Sequence, residues 1–324
     1  MDLESYNSIT EHCGWLKSSQ NSIFKVSGID RISYIHGLTT NDIKKLILGQ
    51  GGCYAAIVNK IGKMSALLKV KAMNDYLIVE SDIVNSGVVF DILNKYVVSE
   101  DVVTENITDK YFKLEILGAN SASIIKSVFN SDVSCLKNFD FIETDFVFCR
   151  TPYSIVDGFE IIGSIKYYLE IINQLTKNRI PEITFEMIEL FRIESGIPKW
   201  GVDYDSGFLP MEAGLESITI SYSKGCYIGQ EVIQRVKTYG QLPRQLRGLE
   251  LITENVVKAP ASVYSKDKEA GKMSSCIFSP RLGKVVGLAT LIKGCNNRGA
   301  QVRIGSEIDA VVIDLPMIIQ DTLN

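Results

Sequence analysis

Apolar and polar positions alternate along most of this chain, and helical spacing interrupts the alternation. Ser217-Ile-Thr-Ile-Ser-Tyr222 switches at every residue, the pattern of a half-buried strand. Ile228, Val232, Ile233 and Val236 recur at helical spacing, which predicts a helix over 228–239 stopped by Gly240. Strands are expected over 21–28, 53–58, 64–70, 75–80, 97–106, 111–117, 146–151 and 159–163. Helices are expected over 31–36, 43–48, 83–96, 122–129, 167–175 and 183–195. Asp30, Thr39-Thr-Asn-Asp42, Asp82 and Ser121 supply caps for the first four of these. Strands and helices do not alternate in a regular βαβ rhythm, so the fold class is α+β. After Gly240 the pattern becomes short strands between polar turns, at 246–251, 261–264, 271–278, 285–292, 300–304 and 308–314. That spacing predicts a small antiparallel β-barrel or sandwich. Pro243 to Gly248 is the expected boundary, giving regions 1–240 and 241–324.

Composition narrows the possibilities. The chain has 324 residues, 46% of them apolar, enough for two or three packed domains. The 34 basic and 38 acidic residues leave a net charge of −4, which gives no global footprint for nucleic acid. The first ten residues are acidic and polar, unlike a signal or transit peptide, and no apolar run reaches the length of a membrane span. Seven widely spaced cysteines without a CxxC pair argue against a disulfide framework and against a four-cysteine metal site. The reading is a cytoplasmic protein of a reducing compartment, with no bound metal.

Chemistry concentrates in two stretches. Lys224-Gly-Cys-Tyr-Ile-Gly-Gln-Glu231 sits between the strand expected over 217–222 and the helix expected over 228–239. A thiol near a helix N-terminus and a lysine is favoured as thiolate, the nucleophilic and metal-binding form. Cys226 alone reads equally well as a small packed residue and Lys224 as a solvated one. In Arg192-Ile-Glu-Ser-Gly-Ile-Pro198, Glu194 stands in the last turn of a helix, where the dipole disfavours an anion. A solvent pairing with Arg192 or Lys199 accounts for it as readily as a functional role. Gln50-Gly-Gly52 runs into a strand rather than a helix, which rules out a dinucleotide fingerprint. His12 and His36 are the two histidines, and neither stands in a recognisable nucleophile context for protease chemistry.

The octapeptide resembles the K-G-C-Y-x-G-Q-E signature of the YgfZ-type folate-binding proteins. These are relatives of the glycine-cleavage T-protein (aminomethyltransferase) associated with iron–sulfur cluster assembly and repair. Arg192 to Pro198 is similar to the superfamily's R-x-E-x-G-x-P segment, and Phe208 to Leu215 to its P-x-E-x-x-L segment. Val26 to Asp30, Gly37 to Asp42, Gly49 and Tyr54 follow the superfamily's order. The resemblance implies intertwined α+β subdomains that bind tetrahydrofolate, followed by a C-terminal barrel. It implies a pterin held by Glu194, with Arg192, Tyr227, Gln230 and Glu231 in the cofactor site. Cys226 and Lys224 become the catalytic pair, and iron–sulfur client or assembly proteins the partners. One departure stands out. T-proteins carry a catalytic aspartate just after the turn that Asn59 to Met64 resembles, and the matching positions here are Ser65 and Ala66, neither of which ionises. The expected function is therefore a tetrahydrofolate-binding accessory factor, with aminomethyl transfer as the alternative.

Overall fold

The computed structural model describes residues 3–318 except 154, 241 and 306. The first sheet has strand order β3-β4-β5-β2-β6, built from β2 (Asn21–Ser27), β3 (Gly52–Val58), β4 (Met64–Ala72), β5 (Leu77–Asp82) and β6 (Val103–Asn106). The second has order β1-β7-β10-β9-β8, built from β1 (Gly14–Lys17), β7 (Tyr111–Leu117), β8 (Phe141–Glu143), β9 (Phe146–Arg150) and β10 (Gly158–Ser164). Every neighbouring pair in both sheets is antiparallel.

Strand periodicity sends successive side chains to opposite faces, and here each sheet buries both. Phe24, Val26, Ala66, Leu68, Val70, Leu77 and Val79 pack outward against α2 (Arg31–Leu38) and α3 (Ser86–Lys95). Phe112, Leu114, Ile116, Phe159 and Ile161 pack outward against α4 (Ser121–Phe129) and α5 (Tyr168–Lys177). The inner faces meet through Ile23, Ile78, Phe141, Val147 and Ile162, beside a layer of buried charges.

The C-terminal region is a closed antiparallel barrel of order β11-β14-β13-β12-β15-β16. Its strands are β11 (Arg244–Leu251), β12 (Ala261–Ser265), β13 (Lys268–Ser279), β14 (Lys284–Ile292), β15 (Gln301–Ile304) and β16 (Ile308–Ile313). Each expected strand there is present within a few residues. α1 (Leu3–Glu11) precedes the first sheet strand, and α6 (Phe185–Glu194) bridges the sheets to the barrel. Thr184 caps α6, its Oγ1 accepting from Met187 N at 3.4 Å.

Three expected elements near the candidate sites differ. Residues 217–222 are not a strand: α7 (Glu216–Thr219) is a single helical turn. Its carbonyls at Ile218 and Thr219 accept from the Asn41 amide at 3.1 Å and the Thr40 hydroxyl at 2.5 Å. The stretch 39–42, expected to cap a helix over 43–48, is thus committed elsewhere, and only a short 3-10 turn forms at Ile43–Lys45, without a side-chain cap. The helix expected over 228–239 starts at Gln230, giving α8 (Gln230–Tyr239), after Gly229 in a left-handed conformation.

Candidate functional site

A cavity of about 170 Å³ opens between the inner sheet faces, α6 and the segment that follows it. Its aromatic walls are Tyr54, Tyr153, Trp200 and Tyr204, with Trp200 and Tyr204 in edge contact at 5.3 Å. β4 contributes Leu67 and Lys69, because its outward alternation commits Ala66 and Leu68 to the first core. Position 66 therefore points away from the cavity. The carboxylates lining the cavity come from other elements: Glu80, Asp82, Glu115 and Glu189.

Its floor is an ionic layer between the sheets. Lys71 and Lys113 both hold Glu80, Lys113 at 2.8 Å. Lys69, Lys113 and Lys71 surround Glu160, the last two at 3.1 and 3.8 Å. Burial opposes ionisation of both carboxylates, but Lys113 and its neighbours outweigh it. The Glu80 carboxyl is held down at about 2, and Glu160 well below the usual carboxylate range. Such a layer is costly to desolvate and stable only when complete.

Arg192 lines the cavity, yet its guanidinium is fully committed. Nε and Nη2 donate to Glu189 at 3.2 and 2.7 Å, and Nη2 to Ser275 at 2.9 Å. Nη1 donates to Asp203 at 2.6 Å and to the Ile197 carbonyl at 3.0 Å. All five donors are used, so Arg192 ties α6 to the barrel and has none left for a ligand. Glu194, expected to hold the pterin, lies outside this cavity. It is fully buried, accepting from Tyr6 at 3.0 Å and from Ser279 at 2.5 Å, and burial pushes its carboxyl up. Helix geometry separates the two: Glu189 and Arg192 share the cavity face of α6, and Glu194 turns to the opposite side.

The octapeptide forms a separate site. Cys226 is exposed in a loop four residues before α8, not at its first turn. The Lys224 ammonium is buried and donates to the carbonyls of His36 and Thr39 at the end of α2. Burial pushes it down to about 8, while Asp42 pulls it up. It thus closes a helix C-terminus. Tyr227 is buried beneath Lys224, its ring centroid 4.9 Å from Nζ and its hydroxyl without a hydrogen-bond partner among the described residues. Gln230 opens α8 half-buried, and Glu231 is exposed in its first turn, where an anion suits the dipole. None of residues 224–231 lines the cavity. His36 is a neighbour that its sequence context did not reveal: its Nδ1 is 3.3 Å from Asp42. Burial and Lys224 hold its imidazole below the ordinary value.

The residues missed in the sequence are Lys69, Glu115, Tyr153, Glu189, Trp200 and Tyr204. For Lys69 and Glu115 the usable signal was charge at alternate positions inside apolar strands, as in Lys69-Val-Lys71 and Lys113-Leu-Glu115. Among the described residues no group of three or more His, Cys, Asp or Glu is placed to hold a metal ion, and no helix is long and apolar enough to cross a membrane.

Comparison with known proteins places this architecture. The GCVT N-terminal domain family matches residues 3–224, and the glycine cleavage T-protein C-terminal barrel domain matches residues 244–318. An aminomethyltransferase of Bacillus pumilus is 26% identical over 322 residues, covering 95% of this chain and 86% of the relative. One from Listeria monocytogenes serotype 4a is 26% identical over 300 residues, covering 90% and 82%. The crystal structure of glycine cleavage system aminomethyltransferase T from Bartonella henselae superposes with a TM-score of 0.90 at 18% identity, covering 98% of this chain and 90% of that one, which establishes the shared fold. With both domains matched in order over nearly all of its length, this chain belongs to the glycine cleavage T-protein family.

Proposed function

We propose that this chain binds tetrahydrofolate in the inter-sheet cavity and acts as a YgfZ-type accessory factor for iron–sulfur proteins through Cys226. The observation that carries the accessory reading is the cavity face of β4, where Leu67 and Lys69 stand and no carboxylate does. The cavity suits a pterin in kind: four aromatic side chains for stacking, with acceptors and donors on its floor. Tetrahydrofolate supplies amine nitrogens that take up a one-carbon unit. The chain's own groups orient the ring and shield it from water. Cys226 stays exposed for a partner or cluster, and Lys224 fixes its loop against α2. Cys226→Ser is expected to abolish support of iron–sulfur enzymes in cells while leaving the fold intact. Full support by that variant would sink this role.

The second reading is aminomethyl transfer, and the relatives that bear that name favour it. It requires a carboxyl in the cavity from an element other than β4, such as Glu80, Asp82, Glu115 or Glu189. Ammonia release from an aminomethylated carrier protein, in the presence of tetrahydrofolate, separates the readings. Turnover that survives Cys226→Ser would establish the transferase, and its absence in a folate-binding protein supports the accessory role.

A further inference from the structure

Glu115 is the exception in the ionic layer. On β7 and β10 it stands directly opposite Glu160, and adjacent strands place such partners about 5 Å apart. The three lysines are all taken by Glu160 and Glu80. Glu115 has no ion pair among the described residues. It is 8% exposed, faces the cavity, and accepts a hydrogen bond from the Tyr153 hydroxyl at 3.3 Å. Two carboxylates in one low-dielectric site do not both ionise readily, and the one without cations keeps the proton. The groups that face it are Glu160 and Tyr153 from the β9–β10 region, Lys113 on its own strand and Lys69 on β4. Burial and then Glu160 push the Glu115 carboxyl up, against the pull of Lys113, Lys69 and the Tyr153 hydrogen bond, and the upward push prevails.

We propose that Glu115 holds its proton at neutral pH and donates it, as a hydrogen bond, to a carbonyl oxygen or ring imine nitrogen of the heterocycle bound in the cavity. The donor role rests on the folate reading above; the protonation does not. An un-ionised carboxyl beside a saturated ionic layer gives the cavity a neutral acid, a group that β4 does not supply, and it makes recognition sensitive to pH. Deprotonation at alkaline pH turns the donor into a second buried anion beside Glu160 and repels an acceptor atom.

Two measurements on the full chain test this. Infrared difference spectra of ligand-free wild type against Glu115→Gln are expected to show a protonated-carboxyl band that the variant lacks; its absence overturns the proposal. Calorimetric binding of tetrahydrofolate is expected to weaken in the wild type as the pH is raised above neutral, following the loss of the neutral acid. Glu115→Gln, whose amide keeps a donor, is expected to bind with a flat profile. Glu115→Ala is expected to bind about 3- to 10-fold more weakly at neutral pH. A Gln variant with the wild-type pH profile overturns the donor role. A wild type that shows the band yet binds no tetrahydrofolate at any pH overturns the folate reading and leaves the protonation standing.

Discussion

Replacing Glu80 by Gln removes one charge from the middle of the molecule at constant volume. Glu80 is fully buried and holds Lys113 at 2.8 Å together with Lys71. Its carboxyl lies at about 2 in the fold against an ordinary 4.5. At about 1.4 kcal/mol per pH unit, that depression corresponds to about 3 kcal/mol of stability. Removing one partner from a buried ionic cluster costs about 3–5 kcal/mol in comparable sites, so the two estimates agree. The pH dependence follows from the sign of the shift. A carboxyl depressed by folding contributes in full above its unfolded value of 4.5 and loses that contribution as pH falls towards 2. Urea unfolding followed by the fluorescence of the two tryptophans is the assay. The wild type is expected to exceed Glu80→Gln by about 3 kcal/mol at neutral pH, and the difference is expected to shrink as the pH is lowered from about 5 to about 3. A difference below about 1 kcal/mol, the value of an exposed pair, or one that ignores pH, would refute the buried-layer account.

Three other substitutions probe separate parts of the structure. Gly229→Ala is expected to cost about 1–3 kcal/mol in thermal unfolding, because Gly229 has φ +83° and a Cβ there would lie 2.3 Å from the Asn59 carbonyl oxygen. Thr184→Ala removes the α6 cap bond and is expected to cost about 1 kcal/mol in chemical denaturation. Cys226→Ser, at an exposed loop position, is expected to change stability by no more than about 0.5 kcal/mol; a larger loss in the same assay would mean that the thiol is structural.

The barrel was legible because its strands are short, alternate cleanly and are broken by turn residues such as Ser265-Lys-Asp267 and Asn296-Asn297. Much of the strand-and-helix content of the first region was legible from its periodicity, but α1, β1 and β8 were not expected. The inter-sheet layer was not. Leu68-Lys-Val-Lys-Ala72 reads as a strand with one face in water, yet Lys71 is 2% exposed, because a second sheet, distant in sequence, covers that face with Glu160. Periodicity reports which residues share a face, not what covers it. Residues 217–222 misled because Thr219 and Ser221 looked outward-facing, while Thr40 and Asn41 bind the carbonyls of a helical turn there. At the sites, the octapeptide marked a real structural unit, the Cys226 loop locked to α2 by Lys224. The two-residue spacing of Arg192 and Glu194 already sets them on opposite sides of α6; what the sequence did not reveal is which side faces the cavity.

The central claim is that the inter-sheet cavity holds the folate, and calorimetric titration with tetrahydrofolate tests it most directly. The account predicts saturable binding by the wild type. Trp200→Ala, which strips one cavity wall, is expected to weaken binding by about tenfold through lost stacking. Glu194→Gln, outside the cavity, is expected to keep the wild-type affinity. A wild type without binding, or binding lost in Glu194→Gln and intact in Trp200→Ala, would contradict it.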